Sequence, residues 1–232
     1  MKARSRRRLL WPSATLNFAA RANVAHLDRL LRAVESPLLL NLGSGDRFIG
    51  AEGLDQAVAR RMVNFDLAPC AGVRVVGDAH RLPFGDGAFH GVICQAVLEH
   101  TRRPEAVVQE IGRVLKPGGL VYIETPFLQG YHPTPTDYYR FTGDGLAELL
   151  SGFERVDSGV CAGPSSSLSW LLREYIAGLV TGFSPASPLR GTAVLAAAWL
   201  TFPLKYLDLL VGRRPGAEAV AAGLFFLGRK QG

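Results

Sequence analysis

Through residues 14–35, apolar positions recur at helical spacing. Leu16, Ala19, Ala20, Val24, Leu27, Leu30, Leu31 and Val34 share one face, with Arg21, Asp28, Arg29 and Arg32 between them. This predicts an amphipathic helix that ends at Pro37. Residues 38–42 then form a short apolar run, broken only by Asn41, that opens into Gly43-Ser44-Gly45. The pattern predicts a buried strand followed by a tight turn. A brief helix is expected over 54–62, strands over 63–66, 73–76 and 89–94, and a helix over 104–115 with Pro104 in its first turn. Lys116-Pro117-Gly118-Gly119 should stop that helix before a strand at 120–125. A helix over 143–150 and strands over 153–160 and 223–227 complete the alternation. Strands alternating with helices imply a mostly parallel sheet covered on both faces, with ligands at the strand C-terminal edge.

The stretch 164–216 departs from this rhythm. Trp170, Leu171, Tyr175, Ile176, Leu179, Val180 and Phe183 form a helical stripe, and 193–204 is apolar apart from Thr201. That run is shorter than the roughly 20 apolar residues a spanning helix needs. Pro203, Lys205 and Asp208 argue further against spanning. The organisation expected is a basic arm and helix (1–36), a core (37–163), an apolar helical insertion (164–216) and a last core strand (217–232).

Composition supports one globular chain: 48% of the 232 residues are hydrophobic. The net charge of +6 is concentrated in Lys2, Arg4, Arg6, Arg7 and Arg8, so the rest is near neutral. That argues against a nucleic-acid partner. Cys70, Cys94 and Cys161 have no metal-ligand spacing, and no metal is expected from them. Cys94 and Cys161 lie in apolar runs, as buried small side chains would, which fits a reducing cytoplasm.

Gly43 and Gly45 after a strand allow a ligand to approach the backbone. Phe48 replaces the last glycine of a dinucleotide fingerprint. Asp66 ends the second strand, 21 residues beyond Gly45, where an acid can accept hydrogen bonds from a ribose diol. Asp78 closes the third strand in the same way.

Gly77-Asp78-Ala79-His80-Arg81-Leu82-Pro83-Phe84, Asp86-Gly87-Ala88-Phe89, Leu98-Glu99-His100 and the run from Glu110 to Gly119 closely resemble the class I S-adenosylmethionine-dependent methyltransferases of the type 11 group. The resemblance covers about 38–126. It implies a Rossmann-like sheet of about seven strands, the last antiparallel, with S-adenosylmethionine as cofactor. Gly43, Ser44 and Gly45 would face its methionine part, Asp66 the ribose and Leu67 the adenine. Asp78 and the Ala79 N–H would meet the adenine edge, and Gln95 would lie beside the sulfonium. The chain departs from the family at Asn41, usually an acid, and at Arg47, usually glycine.

The loop 132–142 leaves the fifth strand and should overhang that ligand. It gathers His132, Asp137, Tyr138, Tyr139 and Arg140, and reads either as an acceptor pocket or as a structural loop with Asp137 paired to Arg140. His132 is the first expectation for a general base and His100 the second. The stretch is similar to a bacterial subgroup often found with cell-surface polysaccharide or glycolipid genes. The reading is therefore O-methylation of a glycan, glycolipid or other lipid-linked small acceptor. The segment 168–212 and the basic arm are expected at the inner face of the membrane, or else the segment is a helical cap that buries its apolar faces on itself, on the sheet or on a second copy of the chain. A nicotinamide-dependent oxidoreductase and a non-catalytic membrane-associated adaptor stay open beside it.

Overall fold

The computed structural model describes residues 12–45 and 48–232, so the basic arm and Arg47 lie outside the described residues. Seven strands form one sheet in the order β3-β2-β1-β4-β5-β7-β6. They are β1 (Leu39–Leu42), β2 (Val63–Asp66), β3 (Val75–Val76), β4 (Phe89–Gln95), β5 (Leu115–Pro126), β6 (Phe153–Ala162) and β7 (Gly223–Lys230). The pairs β1–β2, β1–β4, β2–β3 and β4–β5 are parallel, and the last strand is antiparallel. All four residues of β1 are buried, which is why its sequence is continuous rather than alternating.

Helices α1 (Ala20–Leu31), α2 (Gln56–Arg61), α3 (Pro104–Val114) and α4 (Gly143–Leu149) accompany the sheet. Helix α1 begins later than its periodicity predicts. Upstream of it, Asn17 bridges Ala162 and the Leu16 N–H donates to Ser166 Oγ, which holds that stretch extended. Lys116-Pro117-Gly118-Gly119 ends α3 as expected but is absorbed into β5 as an arch. Four residues of β5, 116–119, answer His90 alone of β4 between the pairs Phe89↔Leu115 and Gly91↔Leu120.

Two compact units divide the described chain. The larger comprises Ala19–Pro126, His132–Cys161 and Leu224–Gly232; its core includes Leu27, Leu40, Phe65, Phe89, Ile93 and Tyr122. The smaller comprises 12–18, Phe127–Tyr131 and Ala162–Gly223. It holds α5 (Pro164–Thr181), α6 (Arg190–Thr201) and, after a 3₁₀ stretch Phe202–Leu207, α7 (Asp208–Val211).

The smaller unit inverts the usual polarity. Helix α5 buries Ser165, Ser166, Ser167, Ser169, Arg173, Ala177, Gly178 and Thr181. Most of its expected apolar stripe faces outward: Leu171, Tyr175, Leu179, Val180 and Phe183 are exposed, while Trp170 is half-buried and Ile176 packs inward. Small residues let α5 and α6 approach closely, with Ala177 against Val194 and Ala197. The Ser169 hydroxyl donates to Thr201 O at 2.9 Å. Buried Asp208 accepts the N–H groups of Gly163, Ser165 and Ser166 and the Ser166 hydroxyl, and so caps α5. The helical segment Arg190–Val211 is long and apolar enough, by length and composition, to cross a membrane. This differs from the sequence expectation, because the 3₁₀ stretch carries helical backbone past Pro203.

Candidate active site

The turn after β1 is held from beneath by β2. The N–H groups of Gly43 and Ser44 donate to Phe65 O at 2.8 and 3.0 Å. Gly43 has φ +68°, and a Cβ there would lie 2.2 Å from a Val97 methyl. Glycine is therefore required by both backbone conformation and space. Ser44 Oγ is buried with no hydrogen-bond partner. Such a group is stabilised by a ligand that bonds to it.

Asp66 reaches back to this turn. Its Oδ2 accepts the Gly45 N–H at 2.7 Å, and its Oδ1 accepts the Ala68 N–H at 3.0 Å. The carboxylate therefore fixes the turn as well as facing the strand edge. Leu67 beside it is 62% exposed, an apolar surface next to an acid. Asp78 Oδ1 accepts from the backbone N–H and from Nδ1 of His80 at 2.9 and 2.6 Å. Those two bonds hold its carboxyl below the usual range, the backbone bond contributing most. Ala79 follows on the same turn.

Asn41 lies opposite Asn64 in the β1–β2 register, and its amide donates to Asn64 Oδ1 at 3.1 Å. Gln95, at the end of β4, donates from Nε2 to Ile49 O and to Glu124 Oε2 at 3.1 and 2.9 Å. Sequence reasoning missed the support below it. The Tyr122 hydroxyl donates to Glu124 Oε1 at 2.5 Å and accepts from Asn23 Nδ2 at 3.2 Å. Alternation within a fully buried strand gives no signal for such a network.

A second cluster forms beyond β4. The 3₁₀ turn Leu98–His100 carries Glu99 and His100, and the loop 132–142 folds over it. The N–H groups of Tyr138 and Tyr139 donate to Glu99 O at 2.7 and 3.3 Å. His100 Nδ1 lies 2.5 Å from Thr136 O, a pure acceptor. Nδ1 is thus the donor and neutral His100 presents a lone pair at Nε2. His132 packs edge-on to His100, with ring centroids 5.4 Å apart. Its Nδ1 lies 3.2 Å from Arg140 Nη2, which can only donate, so neutral His132 carries its proton at Nε2.

Asp137 and Arg140 form a two-bond ion pair at 2.5 and 2.6 Å, and Asp137 Oδ2 also accepts the His132 N–H at 2.8 Å. Arg140 above all, and then the His132 N–H, hold the Asp137 carboxyl well below the usual range. Tyr138 and Tyr139 do not pack into the core. The Tyr138 hydroxyl accepts from Arg102 Nε, and the Tyr139 hydroxyl donates to Arg102 O. Bonds to Thr136 and Arg102 draw the Tyr138 phenol below its ordinary value.

The strand order now separates the alternatives. Dinucleotide-binding sheets of the doubly wound type run 3-2-1-4-5-6. Here β7 stands between β5 and β6. Residues 40–123 match the family model described as a methyltransferase domain. That match covers 84 residues, and the sheet that contains it has the class I methyltransferase fold. The chain is 35% identical over 108 residues to the biotin biosynthesis bifunctional protein BioHC of Cellvibrio japonicus. That match covers 43% of this chain and 22% of the relative. The chain thus spans about a fifth of that relative's length. Among solved structures, the Burkholderia thailandensis 1,6-didemethyltoxoflavin-N1-methyltransferase, with S-adenosylhomocysteine bound, aligns at TM-score 0.54 and 19% identity. The alignment covers 92% of this chain and 79% of that one. Phosphoethanolamine N-methyltransferase 2 of Haemonchus contortus, in complex with S-adenosyl-L-methionine, aligns at 0.55 and 20% identity over 91% and 52%. At these identities the likeness establishes the fold.

Proposed function

We propose that the chain transfers a methyl group from S-adenosylmethionine to an oxygen of a glycan, glycolipid or other lipid-linked small acceptor. One observation carries the cofactor. The glycine turn, its unpartnered buried Ser44 hydroxyl, the Asp66 carboxylate and exposed Leu67 converge at the C-terminal ends of β1 and β2. The residues present fit a cofactor with a polar amino-acid end, a ribose diol and a flat base. Gly43, Ser44 and Gly45 would meet the first, Asp66 the second, and Leu67, Asp78 and Ala79 the third. Asn41 would face the cofactor's ammonium, and Gln95 would lie beside the sulfonium. When bound, S-adenosylmethionine supplies an electrophilic methyl group, and the protein's task is alignment and desolvation of the acceptor.

A hydroxyl acceptor must also lose its proton. Of the two histidines expected to accept it, His100 is the better oriented, since its Nε2 lone pair is not used by Thr136. His132 is set by Asp137 and Arg140, and Tyr138 and Tyr139 offer half-exposed aromatic walls to the acceptor.

The inverted polarity of the smaller unit favours a lipid-linked acceptor. Leu168, Leu171, Leu179, Val180, Leu200 and Leu210 are exposed, while small and hydroxyl side chains fill the helix contacts, as they do between helices in lipid. An open apolar groove of about 410 Å³ runs between α5 and α6, lined by Ile176, Val180, Leu189, Ala193, Ala196 and Leu200. Arg213 and Arg214 supply positive charge for an anionic membrane surface at the cytoplasmic face.

Calorimetric titration with S-adenosylmethionine and with NADH tests the cofactor. Binding of the first alone, weakened by Asp66→Ala at least about tenfold, is expected from loss of a charge-assisted bond. Radiolabelled methyl transfer to cell-envelope extracts tests the activity. His100→Ala should lower turnover about 100-fold or more. Tight cofactor binding with no transfer to any extract would favour the non-catalytic adaptor.

A further inference from the structure

Glu99 is completely buried, and neither carboxylate oxygen has a hydrogen-bond partner. A buried carboxylate in that state is costly unless a cation or a proton lies against it. The groups that face it are imidazoles. His100 Nε2 lies 3.7 Å and His132 Nε2 4.0 Å from Glu99 Oε1. One ligand atom from each of the three residues falls within 4.8 Å of the others. Ligand atoms in a tetrahedral zinc site with bonds of about 2.0–2.1 Å stand about 3.4 Å apart. The two Glu99–histidine separations, 3.7 and 4.0 Å, stand close to that spacing, and the two histidines would have to approach each other by no more than about 1.4 Å for one ion to touch all three.

From these distances we infer that Glu99, His100 and His132 form a binding site for a divalent transition metal of the zinc class, with one position open. Three protein ligands of the type His-His-carboxylate plus an open position are the pattern of a catalytic rather than a structural zinc site. The outer shell is in place. Thr136 O accepts the Nδ1 proton of His100 and directs its Nε2 lone pair inward. On ligation through Nε2 the His132 proton moves to Nδ1, which requires Arg140 Nη2, 3.2 Å from Nδ1, to turn aside; Asp137 Oδ2 stands 3.7 Å from Nδ1, near enough to close on it as acceptor. Glu99 is shut off from water, and the histidine side chains, 13% and 25% exposed, open the cluster to the exterior. Sequence spacing concealed the site, because 32 residues separate His100 from His132 and no ligand is a cysteine.

The inference deepens the proposed methyl transfer and rests on that reading only for its use. With the ion bound, the His100 lone pair belongs to the metal. A hydroxyl of the acceptor at the open position would then be acidified by the ion and pass its proton to solvent water rather than to imidazole. Metal binding itself is independent of turnover and can be read alone.

The test is titration of the untagged, metal-stripped full chain with Zn²⁺ by calorimetry and with Co²⁺ by visible absorption. One equivalent should bind, with the intense absorption of low-coordinate Co²⁺. Glu99→Gln and His132→Ala should each weaken binding about 100-fold or more, and Asp137→Asn about tenfold. S-adenosylmethionine binding by each variant serves as the control for folding. No stoichiometric binding by the wild type, or binding unchanged in variants that still take S-adenosylmethionine, would overturn the site. If metal binds as expected while S-adenosylmethionine does not, the metal site stands and the methyl-transfer reading falls.

Discussion

At Gly43 two independent constraints meet: a positive φ and a Val97 methyl where a Cβ would sit. Gly43→Ala is therefore expected to displace the turn, lower stability by about 1–3 kcal/mol and abolish S-adenosylmethionine binding; calorimetry and thermal melts check both. Gly45 differs. It has φ +51°, but nothing lies within 4 Å of its Cβ direction, so alanine there meets only backbone strain. Asp137 gives a pH prediction at the same scale. Its carboxyl is depressed in the folded protein, chiefly by Arg140. The unfolded chain then binds more protons as pH falls, and the stabilisation present above the ordinary carboxylate range is lost on acidification. Below about pH 4 the melting temperature of the wild type should fall more steeply than that of Asp137→Asn; equal slopes would contradict the assignment. The sequence marked both residues, but it placed Asp137 equally in a pocket or in an ion pair. Only the tertiary structure shows the pair and the bond to His132.

Among the elements, α5 depends on a residue far away in sequence. Asp208, 1% exposed, accepts four bonds at the helix N-terminus, including those from Gly163 and Ser166. Replacing it with alanine leaves buried N–H groups without acceptors. A loss of about 3 kcal/mol is expected, seen as a lower urea midpoint, with Asp208→Asn recovering part of it. Nothing in the sequence distinguished this acid from a solvated one at the end of an apolar run. The element α3 was more legible. Its Pro start, apolar spacing and Gly-Gly stop fixed its limits, and Arg113 and Glu110 project from it to hold the loop after β3. Arg113 donates to Glu110, Asp86, Phe84 O and Leu82 O. The resemblance marked that loop without giving the reason for it.

At the scale of the whole molecule, the smaller unit presents an apolar exterior, and this carries the remaining prediction. The full chain should float with vesicles containing anionic phosphatidylglycerol at low salt. Replacing Leu179 and Leu200 with serine should reduce the bound fraction several-fold, since each removes on the order of 2 kcal/mol of burial in lipid. Retention in the soluble fraction, with a dimer by light scattering, would assign this face to a second copy instead. The sequence by itself determined the alternation of strands and helices, the glycine turn and the acids at successive strand ends, because these follow from local periodicity and from residues close together in the chain. It did not determine which way the stripe of α5 faces, since the same 3.6-residue period describes a helix turned inward or outward. Nor did it bring together Glu99, His100 and His132, or Gln95 with Glu124, because those contacts exist only once β4, β5 and the loop over them are folded into one site.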